Sequence, residues 1–236
     1  MRLSAAKPIF ENRYDAGRQL AEKLAEYAGQ SVVVLGIPNG GVAVALSVAL
    51  ALDADLDLVI SRKIPLPLSP EGGFGSVTDD GTIMLNDAVV ESAGLSQQQI
   101  NYQVSKVRAD IRDRSLLYHR DRPPVAIGGR TAIVVDDGLA SGYTMRAAIE
   151  SLRHRKPEKI VAAVPVGPEA VVKELEQVAD KVVTCAVGVM PRFYVSDFYR
   201  YWHEISDSEV LHCLKEWRMR RYGPNIEMPE RKQTEV

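Results

Sequence analysis

Short β-branched runs alternate with helical segments along this chain, and this alternation constrains the fold more than any other feature. Such runs occupy 31–35, 57–61, 131–135, 159–166 and 181–187, and each predicts a short buried strand. Strands that alternate with helices predict an α/β fold with a doubly wound, mainly parallel sheet. A chain of 236 residues, 46% of them apolar, can bury enough core for one such domain.

Charge and cysteine content exclude several classes of protein. The formal net charge of −2 argues against a non-specific nucleic-acid binder, so we expect no nucleic-acid partner. Cys185 and Cys213 lie far apart, which is typical of reduced thiols in a reducing compartment. The first residues lack the apolar core of a signal peptide, and no run approaches the roughly 20 apolar residues of a membrane span. We therefore expect a cytoplasmic protein without a membrane partner.

The segment 131–144 carries the pattern with the clearest chemistry. A buried strand ends in Asp136 and Asp137, and small residues then turn the chain into a helix. Ligands of open α/β sheets bind beyond the carboxyl ends of strands, and a helix N-terminus favours an anion. Two carboxylates beside an anion site would repel a bare phosphate, so the ligand should also carry sugar hydroxyls, bound Mg²⁺ or a developing cation. The loop adds glycines that permit close approach and hydroxyl donors, namely Gly138, Gly142, Ser141 and Thr144.

Residues 131–146 resemble the signature of the type I phosphoribosyltransferases, in which a strand, two acids, a small-residue loop and a helix follow one another. The resemblance implies that Asp136 and Asp137 act in catalysis by contacting the ribose hydroxyls of phosphoribosyl pyrophosphate. It also implies a Mg²⁺ cofactor held mainly by ligand oxygens and water, which these acids would contact only indirectly. The 5′-phosphate would lie between Ala140 and Thr144. The predicted donor-binding loop consists of Gly138, Leu139, Ala140, Ser141, Gly142, Tyr143 and Thr144.

The segment 36–41 also follows a strand and precedes a helix. A dinucleotide-binding Gly-x-Gly-x-x-Gly motif that began at Gly36 would need glycine at position 38, where the chain has proline. A nicotinamide-dependent oxidoreductase is therefore disfavoured. Under the phosphoribosyltransferase resemblance this segment is the pyrophosphate loop, and a tight turn without a ligand is the alternative. The candidate contacts are Pro38 and the backbone amides of Asn39, Gly40 and Gly41.

Arg62 and Lys63 end the second predicted strand, where two cations could neutralise pyrophosphate. A solvated strand end is the alternative. Prolines and glycines between residues 64 and 75 are expected to break regular structure, whereas Asp79-Asp80-Gly81 predicts a hairpin tip between two short strands. The resemblance makes residues 64–82 a mobile lid hairpin that keeps water away from the reacting centre.

A single phosphoribosyltransferase-like domain is predicted for residues 1–222, and a polar tail for 223–236. The domain divides into a core at about 8–188 and a small C-terminal hood at about 189–222. Aromatic residues cluster between 193 and 202 and are expected to pack as the core of the hood. Their number makes a homodimer plausible.

Two further helices are predicted, one before the hood and one within it. Ser96 and Gln99 resemble a capping box for a long polar helix that reaches about Arg120, and its charged side chains are expected to be solvated. A second amphipathic helix is predicted at 208–221.

The leading hypothesis is a Mg²⁺-dependent pentosyltransferase. It would move the 5-phosphoribosyl group from phosphoribosyl pyrophosphate to a nitrogenous acceptor, expected to be a nucleobase, and release pyrophosphate. The alternative is a non-catalytic regulatory protein of the same fold that senses the donor or a nucleotide. Many 6-oxopurine enzymes of the family carry an acid three residues after the second acid. This chain has Ala140 there, which argues against a hypoxanthine–guanine enzyme.

Overall fold

The computed structural model describes residues 1–120 and 123–223, and the strands and helices belong to those ranges. The strands are β1 (Arg2–Leu3), β2 (Val32–Gly36), β3 (Asp55–Leu58), β4 (Ser61–Leu66), β5 (Ser69–Thr78), β6 (Ile83–Leu85), β7 (Thr131–Val135), β8 (Lys159–Pro168) and β9 (Lys181–Gly188). The helices are α1 (Arg13–Lys23), α2 (Gly40–Leu52), α3 (Asp87–Ser92), α4 (Gln97–Tyr118), α5 (Tyr143–His154), α6 (Glu169–Leu175) and α7 (Asp207–Tyr222).

Six strands form one parallel sheet in the order β1-β9-β8-β7-β2-β3, which confirms the predicted doubly wound α/β fold. Successive residues of β2 point to opposite faces of this sheet. Val32 and Val34 pack in the cluster that contains α1 and α2, whereas Val33 and Leu35 pack in the cluster that contains α5. Because helices cover both faces, β2 is apolar throughout, and that property made it recognisable in the sequence.

A second sheet, in the order β4-β5-β6, is antiparallel and differs from the prediction at its start. The predicted single strand at 57–61 is wrong, because β3 ends at Leu58 and β4 begins at Ser61 in the other sheet. Arg62 and Lys63 therefore lie inside β4 and do not end the second strand of the parallel sheet.

The segment rich in proline and glycine is ordered as a strand pair, so the prediction that it lacks regular structure is also wrong. β4 pairs with β5 from Ser61 opposite Thr78 to Leu66 opposite Ser69, and the register shifts beside Pro65. Proline is tolerated there because β4 is an edge strand of its sheet. The predicted hairpin with its tip at 79–81 is confirmed by the pairing of β5 with β6.

Capping boxes start both α4 and α7. In α4 the Ser96 and Gln99 side chains each accept from the other's backbone amide, as predicted, and the helix ends at Tyr118. In α7 the same arrangement joins Ser206 and Glu209. The second box places the first residue of α7, Asp207, at a fixed point beside the parallel sheet's carboxyl edge.

The aromatic segment that precedes α7 forms a packed core only in part. Phe198 and Tyr199 are buried, and Phe10 pairs with Tyr199 as an isolated bridge. Tyr194 and Tyr201 are exposed instead. The boundary between core and hood stays a prediction.

The predicted polar tail lies outside the described residues beyond Gly223. Within the described ranges, every helix is too short or too polar to cross a membrane.

Candidate functional site

The loops that follow β2 and β7 lie side by side, because these strands are neighbours in the parallel sheet. The Ile37 amide donates to the Val135 carbonyl oxygen at 2.8 Å. The Gly41 amide donates back to the Ile37 carbonyl oxygen at 3.1 Å, so it serves the turn itself. Residues 38–41 thereby come to lie against the acid pair at 136–137, which is distant in sequence.

Two glycines permit this close approach. A Cβ atom on Gly40 would collide with the Asp137 carboxylate. A Cβ atom on Gly41 would lie 2.7 Å from the Val135 carbonyl oxygen and 2.8 Å from Asp136 Cα, closer than side chains approach backbone. Only glycine therefore fits at both positions.

Arg13, in the first turn of α1, holds Asp137 in place. Its Nε donates to Asp137 Oδ2 at 2.8 Å, and its Nη1 donates to the His203 carbonyl oxygen at 2.8 Å. Its guanidinium carbon lies 3.7 Å from the centroid of the Trp202 ring, a cation–π arrangement. No local motif marks Arg13, which stands 124 residues before Asp137, so sequence reasoning missed it.

Burial makes both acids harder to ionise. Burial, and then the neighbouring charge of Asp137, raise the pKa of Asp136 well above its ordinary value. Burial also raises the pKa of Asp137, although the Arg13 guanidinium opposes that rise. Asp136 Oδ1 accepts from the Asp137 amide at 2.9 Å, which fixes its orientation. The pair is thus arranged so that Asp137 is the acid with the charged partner.

Asp136→Asn is expected to stabilise the folded protein at neutral and mildly alkaline pH. The pKa of Asp136 is higher in the native state than in the unfolded state, so the native state binds more protons between the two pKa values. The stability of the wild type therefore falls as pH rises from the unfolded pKa to the native pKa. Asparagine removes this cost and can still accept from the Asp137 amide. We expect a gain of about 1–2 kcal/mol in the free energy of unfolding at pH 8, which shrinks toward zero below the ordinary range of a carboxyl pKa.

Urea unfolding of Asp136→Asn and the wild type across this pH range measures the effect. A gain that is the same at every pH would contradict the assignment of the cost to ionisation. Asp113→Asn, on the exposed side of α4, is the matched control and should leave stability unchanged at both ends of the range.

The loop between β7 and α5 is anchored at both ends and open in the middle. The Leu139 amide donates to the Val166 carbonyl oxygen at 2.9 Å, and its side chain is buried, so this residue serves the fold. Gly142 has a φ of 77° and precedes the first residue of α5. Ala140 and Ser141 are exposed between these anchors. A ligand at the N-terminus of α5 would meet this open middle part.

Thr144 joins the loop to the small sheet. Its hydroxyl oxygen lies 3.3 Å from Ser76 Oγ in β5, and Ser61 Oγ in β4 donates to its carbonyl oxygen at 2.9 Å. Both serines are buried. The Thr144 hydroxyl, which was predicted to donate a hydrogen bond to phosphate, therefore already contacts β5.

Two cavities meet at this site, and Asp137 and Trp202 line both. The first, of about 480 Å³, is lined by the acid pair, residues 138–145, Lys63, Glu71, Gly73, Gly75, Ser76, Asn86, Val195 and Trp202. The second, of about 410 Å³, is lined by Arg13, Asn39, Gly40, Arg62, Arg114, Asp137, Trp202, Glu204 and Ile205.

Arg62 and Lys63 do not reach the same cavity, because neighbouring residues of a strand point to opposite faces. Arg62 lines the second cavity, and its Nε lies 3.2 Å from Asp110 Oδ2. Lys63 lines the first cavity, and its Nζ donates to the Glu71 carbonyl oxygen at 2.7 Å. The two cations are therefore not brought together in one cavity, and their contact with pyrophosphate stays a prediction.

The side chain of Asn39 is anchored away from the pair of acids. Its Nδ2 donates to the Ile205 carbonyl oxygen at 2.8 Å and to Asp207 Oδ1 at 2.9 Å. Pro38 is buried and is joined to Asn39 by a cis peptide bond. In this loop Asn39 and Gly40 line the second cavity.

Comparison with known proteins agrees with this geometry. A family model described as a phosphoribosyl transferase domain matches residues 82–195, which include the acid pair and the loop after it. The crystal structure of TT1426 from Thermus thermophilus is 36% identical, with a TM-score of 0.72, over 88% of this chain and 98% of that one. The chain belongs to the phosphoribosyltransferase family. The family match starts after residue 81, so geometry alone joins the 38–41 loop and Arg62 to the site.

Two Mycobacterium tuberculosis proteins, MT0597 of strain CDC 1551 and Rv0571c of strain H37Rv, carry provisional names as phosphoribosyl transferases. Each is 40% identical to this chain over 206 residues. The match covers 87% of this chain and 46% of the relative. The chain thus spans about half the length of the curated relatives it matches.

Proposed function

We propose that this protein binds phosphoribosyl pyrophosphate across the two cavities and transfers its 5-phosphoribosyl group to a nitrogenous acceptor. The observation that carries the proposal is the position of Asp137. Its neighbour Asp136 lines the first cavity, and Asp137 lines both. One cavity contains the N-terminus of α5, where a helix favours phosphate, and the other contains three guanidinium groups. A phosphorylated ribose with a pyrophosphate on C1 has this same order of groups.

In this reaction the bond from C1 to the pyrophosphate oxygen breaks, and its electron pair leaves with pyrophosphate. The lone pair of the acceptor nitrogen then forms the C1–N bond, and the acceptor releases a proton. Asp136 and Asp137 would bind the ribose hydroxyls and stabilise the positive charge that develops on the ribose. The open middle of the loop, Ala140 and Ser141, would hold the 5′-phosphate and so fix C1 in position.

The pyrophosphate would lie in the second cavity, against the backbone of Asn39 and Gly40 and the guanidinium of Arg62. Lys63, in the first cavity, would face the phosphoribosyl end of the donor. The β4–β5 hairpin would act as the lid over this end, since Lys63 and Glu71 of its two strands line the first cavity.

The donor set fits a Mg²⁺ ion that is held mainly by the substrate. Among the described residues, no group of three or more His, Cys, Asp or Glu side chains could hold a metal by itself. Two adjacent carboxylates, one of which also lines the cavity proposed for pyrophosphate, suit the indirect contact that Mg²⁺ usually makes with protein in phosphate sites. When bound, the ion would neutralise charge on the pyrophosphate oxygens. Asp136 and Asp137 would orient its water ligands and the ribose hydroxyls.

The acceptor is proposed to be a nucleobase, and Ala140 disfavours the 6-oxopurines. A homodimer and a cytoplasmic location stay predictions.

A screen with ribose-labelled donor tests the proposal. The protein is incubated with labelled phosphoribosyl pyrophosphate, Mg²⁺ and single nucleobases, and labelled nucleotide and released pyrophosphate are both measured. We expect one class of acceptor to give nucleotide and pyrophosphate in equal amounts, with loss of the reaction in EDTA and recovery on added Mg²⁺. Donor that binds but reacts with no acceptor would instead favour a sensor, and absence of donor binding would contradict the site.

A further inference from the structure

A third arginine belongs to the second cavity, although it comes from the long polar helix whose charges were expected to be solvated. Arg114, in the last part of α4, lines this cavity together with Arg13 and Arg62. Its side chain is 19% exposed. The predicted solvation of α4 is therefore wrong at this position, because α4 packs there against the start of α7.

Protein acceptors hold two of the three nitrogens of the Arg114 guanidinium, Nε and Nη1. Its Nε donates to both carboxylate oxygens of Asp110 at 3.2 Å. Its Nη1 donates to Asn39 Oδ1 at 3.2 Å, to Tyr118 Oη at 3.1 Å and to Asp207 Oδ1. Among the described residues, none accepts from Nη2. Nε and Nη1 are thus held by the protein, and the two N–H donors of Nη2 remain for a ligand.

Asp207 ties this arginine to the 38–41 loop. Asp207 Oδ1 accepts from Asn39 Nδ2 at 2.9 Å and from Tyr118 Oη at 2.6 Å, in addition to Arg114. Burial opposes ionisation of Asp207, but hydrogen bonds from Tyr118 and Asn39 and the charge of Arg114 outweigh it, so the pKa of Asp207 is lowered. The first residue of α7 therefore keeps a negative charge that positions both the arginine and the loop.

Asp110 links Arg114 to the second arginine of the cavity. Arg62 Nε lies 3.2 Å from Asp110 Oδ2, and Arg114 Nε lies 3.2 Å from Asp110 Oδ1. One carboxylate thus holds two guanidinium groups side by side. Arg13, Arg62 and Arg114 line the cavity together with Asp137 and Glu204, whereas Asp110 and Asp207, which pair with two of these arginines, do not line it. Two guanidinium groups that line one cavity side by side suit an anion that has several phosphate oxygens.

We propose that Arg114 binds the pyrophosphate of the donor through its Nη2 end, and that Asp207 positions Arg114 and Asn39 for this contact. The inference rests on the proposed function, which places pyrophosphate in this cavity. It adds a binding residue from α4 and a positioning residue from α7, neither of which belongs to the loops at the carboxyl ends of the strands.

The test compares three ligands that contain pyrophosphate, the phosphoribosyl group, or both. Inorganic pyrophosphate and phosphoribosyl pyrophosphate should both need Arg114, whereas ribose 5-phosphate, which lacks pyrophosphate, should not. Calorimetry with Mg²⁺ measures the three dissociation constants for the wild type, Arg114→Gln, Arg114→Lys and Asp207→Asn. Arg112→Gln is the matched control, because it removes one charge from an exposed position of the same helix.

For Arg114→Gln we expect affinity for pyrophosphate and for the donor to fall about 10- to 100-fold, while ribose 5-phosphate binds as in the wild type. Arg114→Lys should recover part of the loss, since it keeps the charge but not the fork. Asp207→Asn should weaken the same two ligands by a smaller factor and leave ribose 5-phosphate unchanged. Arg112→Gln should bind all three normally.

Equal weakening of all three ligands would show that Arg114 only supports the fold, and unchanged binding would remove it from the site; either result overturns the inference. Ribose 5-phosphate binding also reports whether each variant is folded. If the wild type binds pyrophosphate but neither ribose ligand, the proposed function fails, while a loss of pyrophosphate binding in Arg114→Gln would still support the contact. If the wild type binds none of the three, both proposals fall.

Discussion

Replacing Asp136 and Asp137 together with asparagine is expected to abolish measurable transfer while the protein stays folded. Both carboxylates line the first cavity, and Asp137 also lines the second, so they lie where the ribose of the proposed donor would bind. Asparagine keeps their shape but removes the charge that would stabilise a cationic ribose. We expect kcat/KM to fall by about a thousandfold or more, the scale of losing preorganised electrostatic groups that act as a unit. Donor affinity should fall as well.

Initial rates with the acceptor found by screening, and calorimetry with the donor, measure the two effects. Asp113→Asn, an exposed acid on α4, controls for loss of one charge by the same exchange. Thermal unfolding separates loss of function from loss of fold. The double variant is expected to lose stability because the buried Arg13 loses its charged partner, and the gain from removing the Asp136 charge offsets only part of this loss. Donor affinity that is unchanged in the folded double variant would refute the site.

Gly41→Ala is expected to damage both stability and function, because the added methyl group meets backbone on the neighbouring strand. Its Cβ would lie 2.7 Å from the Val135 carbonyl oxygen and 2.8 Å from Asp136 Cα. Backbone in the centre of a packed sheet cannot move aside at little cost, so we expect the free energy of unfolding to drop by about 1–3 kcal/mol. The two loops would also separate, and a displacement of about 1 Å can lower kcat/KM by about 100-fold.

Denaturant unfolding and steady-state kinetics on the same preparation give both numbers. Gly128→Ala is the matched control, since the nearest neighbour of its added Cβ is the Arg155 carbonyl oxygen at 3.6 Å. If alanine at 41 changed neither stability nor kcat/KM beyond the change in this control, the close packing of the two loops would be wrong.

The parallel sheet and the acid pair could be predicted because their signals are local. A strand buried on both faces must be apolar throughout, and β7 shows that property directly before Asp136 and Asp137. The turn into α5 needs small residues and a glycine with positive φ, which Gly142 supplies. Each of these constraints acts within about ten residues, so one stretch of sequence contains the whole pattern.

The supports of the site could not be predicted in the same way. Arg13 meets Asp137 only because α1 packs beside the sheet, and nothing near Arg13 in sequence indicates a partner. Arg114 lies on a helix whose polar composition suggests solvent, and only the placement of α7 gives it acceptors. The β4–β5 pairing was not predicted, for another reason. Prolines usually end strands, but an edge strand does not need the backbone N–H that proline lacks.

The contact between Arg13 and the segment around His203 has a consequence for when the protein becomes competent during its folding. Asp137 lies mid-chain, yet the group that orients it comes from the first helix, and that group is itself held by a carbonyl far downstream of the acid pair. The signature loop alone can therefore form early without being useful. Under the proposed function, Asp137 would be oriented for transfer only after the first and last thirds of the polypeptide have met, so transfer activity would report completion of the tertiary structure.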